Sequence, residues 1–102
     1  MPKVDLPTWI VNLEEEDLHF IKRLVLASGS LKELAAEYGV SYPTIRARLD
    51  GVIQRVKILD KHDGDDPLEA RIRILVSMGE MEPKMGKELL SLHRSSFSNR
   101  RA

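Results

Sequence analysis

The side chains best placed to do chemistry in this 102-residue chain lie between Ser30 and Asp50. Ser30 stands three residues before Glu33, the spacing at which a serine caps a helix start and the carboxylate reaches back. Gly39 follows a short run, Leu31 to Tyr38, and supplies the positive φ that stops a helix. Ser41 is the next cap, and the helix it opens begins at Tyr42-Pro43, where a proline sacrifices no hydrogen bond. A short capped helix, a glycine turn and a second capped helix form a helix-turn-helix pattern. Ala35 falls where the two helices approach closely, and Val40, Ile45 and Leu49 fill the space between them. Tyr42, Thr44, Arg46, Ala47 and Asp50 are left for an outward face. Such a helix enters the major groove N-terminus first. Its free N–H groups and Ser41 suit phosphate, and arginine suits phosphate or guanine edges. The expected DNA-contacting set is therefore Ser41, Tyr42, Thr44, Arg46, Ala47 and Arg48. Arg48 lies nearer the apolar seam, where it can pair with a carboxylate instead.

Other chemistries find less support. His19, His62 and His93 fall on three separate segments, and none has a His-x-x-x-His partner. Ser28, Ser30 and Ser41 read as loop and cap residues rather than nucleophiles. The run Asp60-Lys-His-Asp-Gly-Asp-Asp66 is acidic enough for calcium, yet counting back from Gly64 puts Leu59 at the first ligand position. It reads as a solvated loop. Glu14, Glu15, Glu16 and Asp17 are adjacent, so on a helix they point different ways. They read as a solvated first turn favoured by the helix dipole. No glycine-rich phosphate loop occurs. The expectation is no catalytic residue, no metal, no cofactor and no enzyme.

Composition sets the frame. Sixteen basic residues balance sixteen acidic ones, which excludes a wholly basic, histone-like protein. The charge is uneven, however. Residues 30–59 hold five basic against three acidic side chains, whereas residues 1–29 hold three against five. The basic excess coincides with the helix-turn-helix, although two charges are modest for DNA. There is no cysteine, which excludes disulfides and thiol chemistry and fits a reducing, cytoplasmic setting. The longest aliphatic run, Leu24 to Ala27, is far too short for a membrane span. The first residues contain no apolar signal region.

The elements that must hold this segment follow from apolar spacing. Residues 1–12, with Pro2 and Pro7, read as an extended lead-in anchored by Trp9. Leu18, Ile21, Leu24, Val25 and Ser28 give one stripe on a helix from Leu13 to about Ala27. Ile45, Leu49, Val52, Val56 and Leu59 alternate spacings of four and three, a heptad-like seam from Tyr42 to about Leu59. Gly51 interrupts that helix at a cost of about 1 kcal/mol, which a close helix approach would explain. Residues 60–66 form a polar connector. Asp66, Pro67 and Glu69 then cap a fourth helix with Leu68, Ile72, Leu75 and Val76 as its stripe. Gly79 stops it, and Pro83 opens a fifth carrying Met85, Leu89 and Leu92. Residues 67–94 make a helical hairpin, and 95–102 a flexible basic tail. The expected fold is all-α, about five helices around one core.

The runs Leu-Pro-Thr-Trp-Ile (6–10), Leu-Glu-Glu-Glu-Asp-Leu-His-Phe-Ile (13–21) and Gly29 to Asp50 resemble the bacterial and archaeal "domain of unknown function 2089" family. Gly-Val-Ser-Tyr-Pro-Thr-Ile-Arg-Ala-Arg-Leu-Asp (39–50) is the most distinctive part. Its helix-turn-helix is also similar to that of LuxR-type regulators and of sigma factor region 4. The resemblance covers roughly residues 6–59, with a weaker likeness of 67–92 to short paired-helix modules. Family members often carry an N-terminal zinc ribbon, which this cysteine-free chain lacks. The resemblance supports the fold more than an activity.

Two functions compete at this point. The first is a transcriptional regulator that binds double-stranded DNA, acting as a homodimer because one reading helix buries little surface. The second is a protein-interaction module that keeps the scaffold without DNA binding, which the acidic first helix and zero net charge favour. Ile53, Ile58, Ile74 and Met78 lie off the main stripes, and this surplus suggests a two-fold interface among the last three helices. Such a dimer would set two reading helices about 34 Å apart, one turn of DNA.

Overall fold

A computed structural model describes residues 5–100. Six helices follow one another: α1 (Thr8–Asn12), α2 (Glu15–Leu26), α3 (Leu31–Tyr38), α4 (Tyr42–Lys61), α5 (Pro67–Ser77) and α6 (Pro83–Arg100). No strand occurs among the described residues. The fold is all-α, with the helix-turn-helix at α3–α4 and a helix pair at the C-terminal end, as the spacing predicts.

Helix α4 is the spine. Its 20 residues span about 30 Å, enough to serve two adjoining apolar clusters. Phe20, Leu34, Ala35, Ile45 and Val52 form the first, joining α2 and α3 to the N-terminal half of α4. Leu13, Leu59, Ala70 and Ile74 form the second, with Trp9 packed against it. Ile21 and Val56 touch both clusters. The seam Ile45, Leu49, Val52, Val56, Leu59 thus runs from one cluster to the other, and Trp9 anchors the N-terminal segment as expected.

Several expectations are corrected. The lead-in is helical over Thr8–Asn12, because the Ile10 and Val11 N–H groups both reach the Pro7 carbonyl, at 3.0 and 3.2 Å. Met1 to Val4 and Arg101 to Ala102, the ends of the expected lead-in and tail, lie outside the described residues. Helix α6 runs to Arg100, past the hairpin end expected at Arg94. Phe97 stacks edge-on to His93 there, with ring centroids 4.8 Å apart. Val25 is 70% exposed rather than part of the α2 stripe. Ser28 sits beyond the helix in a left-handed turn with φ 54°. On α5, Ile74 is buried and Leu68 is exposed, the reverse of the expected stripe. The reason is that α5 is gripped from two sides: Ala70 and Ile74 face α1 and α4, while Ile72 and Val76 meet Gly86 of α6.

The polar connector is also less solvated than its composition implies. Asp65 accepts a hydrogen bond from Arg73 Nε at 2.5 Å, and its carbonyl accepts one from Asn12 Nδ2 at 3.0 Å. Asp66 makes the expected capping box with Glu69.

Candidate nucleic-acid interface

The turn between α3 and α4 is built by three small residues. Gly39 takes φ 66° and ψ 34°, the left-handed conformation that favours glycine. In this geometry the Gly39 N–H reaches the Ala36 carbonyl at 3.2 Å and the Val40 N–H reaches Ala35 at 3.0 Å. These two bonds satisfy carbonyls that a helix end leaves open. Ser41 then accepts the Thr44 N–H at 3.3 Å, and its Oγ lies 2.9 Å from Thr44 Oγ1. Ser30 caps α3 in the same way, accepting the Glu33 N–H at 3.2 Å.

Helix α4 is buried on one side through Ile45, only 1% exposed, and Val52. Ser41, Tyr42, Thr44, Arg46 and Ala47 are all exposed on its first turns. Arg46 makes an exposed ion pair with Asp50, one turn on, at 3.4 Å. Pairs of this kind contribute only a few tenths of a kcal/mol, so the guanidinium is easily redirected to a ligand.

Arg48 does not share that surface. Its Nη2 donates to Glu16 Oε1 at 2.9 Å. Its guanidinium carbon lies 5.5 Å from the Phe20 ring centroid and 5.2 Å from that of Tyr38. Cation–π contact and a carboxylate therefore hold Arg48 against α2 and α3. Its carboxylate alternative is the arrangement present.

The acidic turn of α2 is the feature that the sequence concealed. Its carboxylates form a comb that receives arginines from two other helices. Glu14 accepts from Arg71 of α5, Glu16 from Arg48, and Asp17 from Arg55. Asp17 is only 6% exposed. The Asp17 hydrogen bond raises the Arg55 pKa above its ordinary value against the opposing effect of burial, with Glu14 and Glu16 adding to it. Gly51 belongs to this device. A Cβ there would lie 3.3 Å from Arg55 Nη1, so the glycine makes room for a side chain rather than for another helix. One such signal is present in the sequence: a glycine inside a helix, four residues before an arginine.

Near the far end of the molecule, Asp66, Glu69 and His93 come together with their ligating atoms within 4.8 Å of one another. His93 is the one histidine of this cluster, which His19 and His62 do not join. Each carboxylate oxygen here already holds a proton donor. Asp66 accepts the Glu69 N–H and His93 Nε2, and Glu69 accepts the Asp66 N–H and Arg94. The cluster is a helix cap that fastens α6 to the start of α5.

Residues 13–59 match the family model described as Domain of unknown function (DUF2089)-HTH. The DUF2089-HTH match covers α2, α3 and nearly all of α4, the elements that carry the comb and the exposed turn. It ends where the α5–α6 pair has yet to begin. No curated protein and no solved structure matches the chain. No helix among the described residues is long and apolar enough to cross a membrane.

Proposed function

We propose that this protein is a cytoplasmic DNA-binding transcriptional regulator, not an enzyme, that lays the first turns of α4 in the major groove as one half of a homodimer. The observation that carries this reading is the exposed, capped start of α4. Ser41, Tyr42, Thr44, Arg46 and Ala47 are open to solvent on a helix whose opposite side is rigidly held. Pro43 has no N–H and the Thr44 N–H is held by Ser41, so the groups at this helix start that suit a phosphate are the Tyr42 N–H and the Ser41 and Thr44 hydroxyls. Arg46 extends from the same surface and suits a base edge or a second phosphate. Arg48 acts one layer behind, bracing α4 against α2 through Glu16. The site is thus Ser41, Tyr42, Thr44, Arg46 and Ala47, with Arg48 as support.

The Arg46–Asp50 pair is the observation that favours the second reading, a protein-interaction module, because it leaves the outer face nearly neutral. Binding to fragmented genomic duplex across a salt series separates the two. A DNA-binding role requires affinity that falls as salt rises, the logarithmic slope steepening by about 0.9 for each phosphate neutralised. An absence of binding at low salt would leave the interaction module.

A further inference from the structure

The C-terminal end of α4 meets α5 and α6 along a cleft of about 350 Å³, a size within the range of small-molecule sites. All three helices wall it. Ile58 stands on α4, Ile72 and Val76 on α5, and Leu90 on α6. Ile72 is buried and the other three are half-buried, so the floor is apolar. Gly86 closes that floor, because the missing Cβ lets Val76 approach α6.

The charged groups decide what such a floor accepts. His62, Arg73 and Lys87 line the cleft, and among the described residues no acidic side chain does. The acids nearby are engaged or turned away. Asp65 takes the Nε of Arg73 at 2.5 Å and offsets that guanidinium. Glu69, one turn before Arg73 on α5, holds Arg94 and the Asp66 N–H. Asp60, Asp63, Glu82 and Glu88 are exposed outside the lining. Glu88 falls about 200° round α6 from Gly86, on the side away from α5. Burial first, and then the Arg73 charge, hold His62 below its ordinary pKa, with Lys61 adding and Asp65 opposing. At neutral pH His62 is therefore an uncharged hydrogen-bond donor. Lys87 is exposed and makes no ion pair among the described residues. Within the cleft this leaves one uncompensated positive charge beside an apolar floor.

We propose that this cleft binds a small organic monoanion, a carboxylate carried on an aliphatic chain. The chain lies on Ile58, Ile72, Val76 and Leu90, and the carboxylate meets Lys87. The lining selects that class. An apolar floor offers no partner to the hydroxyls of a sugar or nucleoside, which are costly to bury unpaired. A phosphate monoester carries a charge of about −1.5 to −2, more than the single charge the cleft leaves unmatched. A carboxylate takes charge-assisted hydrogen bonds, and Arg73 keeps its Nη groups for them because Asp65 holds the Nε edge. The proposal is independent of DNA, since the cleft lies at the other end of α4 from Ser41 and Arg46.

Octanoate is the probe, followed through the amide chemical shifts of the protein. Saturable shifts should centre on Ile58, Ile72, Val76, Gly86 and Lys87. Octanol has the chain without the charge, and acetate the charge without the chain. Each should bind at least ~10-fold more weakly than octanoate, through loss of the charge-assisted contact or of the buried methylenes. Lys87→Glu should weaken octanoate binding at least ~10-fold. Lys84→Glu, exposed on the same helix outside the cleft, should bind octanoate as wild type does. Absence of saturable shifts up to about 10 mM octanoate would overturn the proposal. So would shifts centred away from the cleft, octanol binding as tightly as octanoate, or equal losses in the two lysine variants. If Lys87→Glu loses helicity, the comparison of octanoate, octanol and acetate on the wild-type protein decides. Failure of any of these leaves the DNA reading standing, because the cleft shares no residue with the exposed start of α4.

Discussion

Asp17 and Arg55 grip each other in a two-pronged pair: Arg55 Nε donates to Oδ2 at 2.5 Å and Nη2 to Oδ1 at 2.8 Å. Their side chains are 9% and 21% exposed, so the pair is largely withdrawn from water. It links the first turn of α2 to the middle of α4 and fixes the direction from which α4 presents its exposed start. A bidentate geometry stabilises orientation as well as energy.

Removing one partner leaves the other charge unmatched. Asp17→Ala should destabilise the protein by about 2–4 kcal/mol, near the range for breaking a buried pair. Replacing both residues, Asp17→Leu with Arg55→Leu, should recover much of that loss. Urea unfolding of the two single variants and the double variant checks this. Additive losses would mean that the pair does not couple the helices.

Gly51 should behave as a dependent of Arg55. In an exposed helix, glycine to alanine gains about 1 kcal/mol. Here the new Cβ meets the pinned guanidinium at 3.3 Å, so Gly51→Ala should gain little or lose stability. In an Arg55→Ala background the same change should stabilise by about the full propensity difference. Thermal melts of the four proteins measure the difference. Identical effects in both backgrounds would contradict the assigned role of Gly51.

Gly86 should be intolerant for a different reason. Its Cβ would lie 2.6 Å from Val76 Cγ2, a distance at which the helices must move apart. Gly86→Ala should cost about 1–3 kcal/mol, the range for overpacking, and Val76→Ala in the same chain should restore part of it. The readout is again chemical unfolding, and a stabilised Gly86→Ala would show that α5 and α6 are not in contact.

The helix-turn-helix was legible because its signals are local. Ser30, Gly39, Ser41 and Pro43 each act within a few residues of their own position, and the seam from Ile45 to Leu59 is periodic along one helix. The acidic comb was not legible, because Asp17 and Arg55 are 38 residues apart and nothing nearby in sequence distinguishes Asp17 from its solvated neighbours. The same limit explains Ile74. The spacing puts Ile74 off the main stripe, on a second apolar edge with surplus surface for another chain. Ile74 is instead buried within its own chain beside Leu13, Leu59 and Ala70, and which neighbour covers such an edge depends on distant packing. Arg48 belongs to both classes: its nearness to the seam was readable, while its partners Glu16, Phe20 and Tyr38 depend on how α2 and α3 pack.

Acid should weaken the fold in two stages. Burial holds His62 below its ordinary pKa, helped by the Arg73 charge and opposed by Asp65. The Glu69 backbone N–H and then His93 hold Asp66 below the usual carboxylate range. Both folded pKa values are depressed, so each group contributes stability that is present above its unfolded pKa and lost as pH falls through the folded one. The first stage opens below about pH 6.5 and the second below about 3.9. The stability difference between wild type and His62→Gln should therefore be flat above neutrality and shrink below pH 6.5. A difference that grows on acidification would reverse the assignment for His62.

The account's central claim is that the exposed start of α4 contacts duplex DNA while Arg48 supports it from behind. The most direct measurement pairs DNA affinity with melting temperature for Arg46→Ala, on a duplex selected from a random library by the wild-type protein. Arg46→Ala should lose about 1–3 kcal/mol of binding and keep its melting temperature, since its partner among the described residues is the exposed Asp50. Unchanged affinity, or unfolding of the variant in place of lost binding, would contradict it.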